Sequence, residues 1–135
     1  MSPELEMVLR LLLAVALGTA IGFERQYAKK PAGLRTHVLV CAGAALFTLA
    51  SIYAFGEGAD PARVAAGIVV GIGFLGAGMI IRTQEGIVAG LTSASTVWAV
   101  AAIGLAAGAG LYILAPVATV IALIVLRLPK KIGGE

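Results

Sequence analysis

Between Arg63 and Arg82 the chain reads VAAGIVVGIGFLGAGMII, Val64–Ile81, without one charged, hydroxyl or amide side chain. About 18 or more such residues are what a helix needs to cross the ~30 Å hydrocarbon layer of a bilayer. The pattern extends both ways from there. Apolar runs occupy 5–23, 35–55, 62–81, 87–106 and 111–128, parted by short segments where charges, Gly and Pro collect. Of the 135 residues 60% are hydrophobic and 13% charged, which excludes an ordinary soluble domain. The sequence therefore predicts an all-α fold over residues 1–135, a single domain built as a polytopic membrane bundle of five transmembrane helices. Backbone hydrogen bonds must close inside each segment when the solvent is lipid, and a helix does that.

The charges report topology. Arg25, Lys29, Lys30, Arg35, Arg82, Arg127, Lys130 and Lys131 lie on one side of the five crossings, and Arg63 on the other. The positive-inside rule then places the N-terminus outside and the C-terminus in the cytoplasm. Acidic rather than basic residues precede the first run, which argues against a cleaved signal peptide. Cys41 is the lone cysteine, so neither an intrachain disulfide nor a cysteine-rich metal site is available.

Small residues recur four apart at Gly18/Gly22, Gly67/Gly71, Gly86/Gly90 and Gly104/Gly108. Such spacing lets membrane helices approach closely, and Gly67, Gly71, Gly73, Gly76 and Gly78 are expected to be packing positions. Gly71–Gly76 also fits the dinucleotide pattern G-x-G-x-x-G, but that fingerprint needs a strand before it, a helix after it and an acidic residue ~20 positions on. Here it lies inside a span and Thr96 stands at the later position, so helix packing is the better reading. Five short glycine-rich helices leave much surface for self-association, and a homo-oligomer is expected.

Arg10 is an intramembrane charge, which costs roughly 2.5 to 3.5 kcal/mol or more if ionised and alone. Glu6, one turn away, offers a local pair; an interior functional charge is the other reading. A second polar set gathers at the cytoplasmic boundary: Glu24, Arg25 and Gln26; Arg35, Thr36 and His37; Arg82; and Thr92, Ser93 and Ser95. Two predicted helix N-termini point to the same side, and their free N–H groups favour anions. Ordinary anchoring to lipid phosphates accounts for this set, and so does a defined site for an anionic headgroup, a phosphate-bearing ligand or an acidic partner segment. His37 and Cys41, four apart, amount to half a metal site at most, and packing is favoured. Trp98 reads as a packing residue inside a span, and Tyr27, Tyr53 and Tyr112 as boundary residues. Glu24 and Glu85 are the only carboxylates near the spans on the inner side, too few for a magnesium site, and no metal or other cofactor is expected. No nucleophile–base set, paired carboxylates or phosphate loop is apparent, so no enzymatic activity is expected and nucleic acid is not a partner.

Four segments, Gly22-Phe23-Glu24-Arg25-Gln26, Ala32-Gly33-Leu34-Arg35-Thr36-His37, Gly71 to Arg82, and Gly90-Leu91-Thr92-Ser93-Ala94-Ser95, together resemble the signature of the MgtC/SapB family, in the family's order. The resemblance implies a multi-pass protein of the bacterial inner membrane, associated with growth at low magnesium and survival inside host cells. It further implies a regulator that contacts membrane lipids and a membrane complex such as the F-type ATP synthase; a small ion or solute transporter is the alternative. Many members continue into a C-terminal soluble domain of the ACT type, which this sequence, stopping at Glu135, does not include. Where members often read Gly-Leu followed by Asn or Thr and then Thr-Ala-Ala, this chain has Thr92-Ser93-Ala94-Ser95.

Overall fold

The apolar runs become helices whose ends are set by local chemistry. In the computed structural model, which describes residues 1–82 and 84–129 with Arg82 as backbone alone, the order is α1 (Pro3–Tyr27), α2 (Leu34–Tyr53), α3 (Pro61–Met79), β1 (Ile81–Arg82), β2 (Val88–Ala89), α4 (Leu91–Gly108) and α5 (Leu114–Leu126). Ser2 accepts from Leu5 N and Asp60 from Ala62 N, each capping a helix that begins with proline. The hydroxyls of Thr19, Thr48, Thr96 and Thr119 bond the carbonyl four residues back, which satisfies them without leaving the helix.

α1 to α4 are long and apolar enough to cross a membrane; α5 is apolar but shorter, at 13 residues or about 20 Å. The helices run alternately up and down. Gly18 of α1 meets Cys41 and Val38 of α2, Gly22 meets Leu34 and His37, and Gly104 and Gly108 of α4 lie against the α2 backbone at Cys41 and Ala45. The core, around Ala14, Ile21, Cys41, Ala45, Val100, Ile103, Ala107 and Ala115, sits where α1, α2 and α4 join, with α5 laid against it. α3 is peripheral: Gly76 is its one buried residue.

Several expectations need correction. The first helix continues to Tyr27, four residues beyond its expected end at Phe23, because the charges of Glu24 and Arg25 are paired and do not need water. The fourth helix begins at Leu91, because Gly86 and Gly90 take φ of +82° and +91° and turn residues 81–89 into a two-stranded antiparallel hairpin, Ile81 opposite Ala89 and Arg82 opposite Val88. Any side chain at Gly90 would strike the Met79 carbonyl oxygen. The fifth helix begins at Leu114, and Pro116 falls in its first turn, where a missing N–H costs little, rather than kinking its middle. A methyl added at Gly67, Gly71, Gly73 or Gly78 would meet nothing within 4 Å among the described residues, and of these five positions only at Gly76 would it reach another helix, 3.7 Å from the Ala94 Cβ. The spacing was the same as at Gly104/Gly108, but α3 lies at the rim. Trp98 points outward from α4, half exposed, because the inner face of that helix is taken by small residues meeting α2.

Candidate functional site

Two charged layers tie the bundle together, one near each end. In the first, Arg10 donates from Nε to Glu6 at 3.3 Å and from Nη1 to the Gly108 carbonyl at 3.1 Å, and it lies over the Tyr53 ring, 5.6 Å from its centre. Tyr112 donates its hydroxyl proton to the same Glu6 carboxylate. Gly108 is the last residue of α4, so the guanidinium meets its carbonyl at the negative end of that helix. The Glu6 pair expected from the sequence forms, and the contact with α4 adds a partner that no local reading supplies.

The second layer joins the other ends of α1 and α5. Arg25, 3% exposed, donates from Nε to Glu24 Oε1 at 2.6 Å, and the second oxygen of Glu24 faces Arg127 Nε at 3.4 Å. Arg127 caps the end of α5 and is two-thirds exposed, so its contact contributes less than ~1 kcal/mol. The buried pair is different: removal of either partner strands a desolvated charge. One carboxylate between two guanidiniums leaves a net positive charge. Lys29, Lys30 and Arg35, in the loop after α1 and the first turn of α2, are exposed.

Gln26 has another task. Its Oε1 accepts from Leu34 N at 3.0 Å and so caps α2, whose N-terminal Gly33 has no side chain to do it. Arg35 and Thr36 lie exposed on the first turn of α2, and Arg35 forms no ion pair among the described residues. His37 is fully buried beneath Gly22, with Nδ1 2.7 Å from the Gly33 carbonyl. That carbonyl can only accept, so the proton resides on Nδ1 and Nε2 is left as a buried acceptor with no partner among the described residues. Cys41 is buried one turn further on, packed against Gly18 and Gly104. Thr92 and Ser93 begin α4, which has no side-chain cap; Ser93 is buried and Ser95 exposed. The side chain of Arg82, with Lys130 and Lys131, lies outside the described residues.

The structure thus brings Glu24 and Arg25 together with Arg127, which the sequence marked only as a topology charge, while neither Arg35 nor Gln26 bonds to that pair among the described residues. No group of three or more His, Cys, Asp or Glu side chains converges among the described residues.

Long apolar helices held by internal charge layers define a multi-pass helical membrane protein. The chain belongs to the MgtC family, whose profile matches residues 11–134. It is 46% identical over 129 residues to YhiD of Escherichia coli strain K12, whose name proposes it as a magnesium transporter; the match covers 90% of this chain and 60% of that protein. It is 54% identical over 108 residues to Protein MgtC of Brucella abortus strain 2308, with 79% and 44% covered. It is 50% identical over 117 residues to Protein MgtC of Salmonella typhimurium strain 14028s, with 86% and 49% covered. The chain spans about half the length of these relatives. No solved structure matches it. Family and helices together place the protein in the bacterial inner membrane.

Proposed function

We propose that the chain is a magnesium-linked regulator of the bacterial inner membrane, not an enzyme, which acts by binding an anionic ligand or a membrane partner through its basic, cytoplasmic end. The observation that carries this reading is the layer of Arg25, Glu24 and Arg127, where two guanidiniums share one carboxylate at the end of the bundle to which the uncapped start of α4 also points. Excess positive charge there, with Arg35 exposed on the first turn of α2, favours phosphate-bearing or acidic groups. The positive-inside bias supports the orientation. The names of relatives support the link to magnesium, and family resemblance supports the F-type ATP synthase as the complex restrained.

The test is ATP-driven proton pumping in inverted vesicles from cells with and without the chain. Pumping is expected to fall when the chain is present and to recover with Arg35→Ala and with Arg25→Gln. Equal pumping in all samples refutes the reading. A transporter is the second reading, favoured by Arg10 inside a span; magnesium flux in proteoliposomes that disappears with Arg10→Leu would establish it instead.

A further inference from the structure

α3 meets α2 at one end, where the Ser51 hydroxyl donates to the Pro61 carbonyl at 3.4 Å, and α4 at the other, where Gly76 faces Ala94. Between those points a groove of about 640 Å³ opens among α2, α3 and α4, and every residue lining it is apolar or glycine. Gly43, Gly67 and Gly71 hollow it out, since a methyl at any of them would meet nothing within 4 Å. On α3 the groove runs from Leu75 up to Val64, and Arg63 stands next above. Arg63 is one turn from Gly67 on the same face, exposed, and without an ion pair among the described residues. Asp60, which caps α3, and Glu57, in the turn before it, are exposed at the same end. We propose that this groove seats one phospholipid, with its two acyl chains along α3 from Val64 to Leu75 and a phosphate bearing an ammonium group held between Arg63 and the carboxylates of Asp60 and Glu57.

Length, section and charge select that occupant. From Val64 to Leu75 the groove follows α3 for about 16 Å at ~1.5 Å per residue, close to the ~15 Å depth of one leaflet's hydrocarbon. Its volume spread over that length gives a section of about 40 Å². A helix with its side chains is at least ~10 Å across and needs about 80 Å², so neither a partner's span nor a second copy's helix fits. Two alkyl chains in contact at ~4.5 Å take roughly 20 Å² each and fill it. At the mouth, side chains of a helix lean toward its N-terminus, which carries the Arg63 guanidinium to the headgroup layer. One guanidinium beside two carboxylates complements a headgroup of both signs, whereas a purely anionic one would meet more repulsion than attraction.

The test is native mass spectrometry of the full chain, delipidated in detergent and titrated with phosphatidylethanolamine or with phosphatidylglycerol of the same acyl chains. One phosphatidylethanolamine per chain is expected to be retained, and more tightly than phosphatidylglycerol. Gly71→Leu, which fills the groove, is expected to lose it, and Arg63→Gln to weaken it about threefold, the worth of one charge contact open to solvent. Gly73→Leu keeps it, because Gly73 lies outside the groove and has open space around it. Phosphatidylglycerol held as well or better overturns the proposal, as does retention unchanged by Gly71→Leu or by Arg63→Gln, or equal loss in both leucine variants. A dimer that parts with Gly71→Leu overturns it too, the mark of a second copy in the groove. Should Gly71→Leu misfold by circular dichroism, wild-type protein with a phosphatidylethanolamine photoactivatable in its acyl chains decides: adducts on residues 39–47 and 64–75 are expected, and adducts confined to other segments overturn it.

Discussion

Gly104→Ala tests whether the α2–α4 seam is set by backbone contact. A methyl carbon at Gly104 would lie 2.9 Å from the Cys41 carbonyl carbon and 3.0 Å from its Cα, and nearer still to the carbonyl oxygen. All three are backbone atoms, so no rotamer relieves the clash. Restoring a normal separation of ~3.5 Å moves the helices apart by half an ångström or more, a gap that forfeits roughly a quarter or more of each contact well along the seam. Overpacking of this kind costs about 1–3 kcal/mol, and the clash with rigid backbone places it at the upper end. The better helix propensity of alanine returns up to ~1 kcal/mol, for a net loss of about 1–2 kcal/mol, near tenfold in the unfolding equilibrium. Gly71→Ala is the comparison, because a methyl there meets nothing within 4 Å; it is expected to be neutral or to stabilise by up to ~1 kcal/mol. Reversible SDS unfolding in mixed micelles, followed by far-UV circular dichroism, reads both. If Gly104→Ala unfolds at the same SDS fraction as Gly71→Ala, or later, the close-contact account of this bundle fails.

Three further outcomes follow from the charge layers and the cap. Arg10→Leu strands the Glu6 carboxylate and frees the Gly108 carbonyl, so a loss of about 2–3 kcal/mol is expected in the same assay; a double-mutant cycle with Glu6→Gln should recover part of it, and purely additive losses would deny the pairing. Arg25→Gln should destabilise by several times as much as Arg127→Ala, since the first leaves Glu24 buried without its 2.6 Å partner and the second removes a contact open to solvent. Gln26→Ala removes the oxygen that accepts from Leu34 N–H and should cost about 1 kcal/mol, with amide exchange rising in the first turn of α2 and unchanged in α4.

What could be read in advance was what depends on local composition. The run over 35–55 was visible because lipid as solvent demands about twenty predominantly apolar positions, and α2, Leu34–Tyr53, supplies them. Helix ends were harder. Glu24 and Arg25 looked like a loop, since charge normally seeks water, yet their buried pairing with each other lets them stay inside α1. Ile87–Ala89 looked like the start of a span, because apolarity alone cannot tell a helix from a strand of the same residues; the positive φ at Gly86 and Gly90 settles the matter. Glycine spacing has the same limit: Gly67/Gly71 and Gly104/Gly108 are indistinguishable as strings, and only the neighbour across the gap separates a seam from an open rim. In the site, Arg10 with Glu6 was legible as a one-turn pair, while the Gly108 carbonyl and Tyr112 come from the far end of the chain.

The two charge layers are closer together than a bilayer is thick. On α1 they are separated by the fourteen residues from Arg10 to Glu24, about 21 Å at ~1.5 Å per residue, and α5 is a helix of much the same height facing lipid beside them. Acyl chains next to α5 must therefore shorten from ~30 Å, dimpling the membrane on one flank of the protein. Neighbours with an equally short hydrophobic belt relieve that distortion by settling there, so bilayer elasticity itself selects company for this protein before any side chain touches.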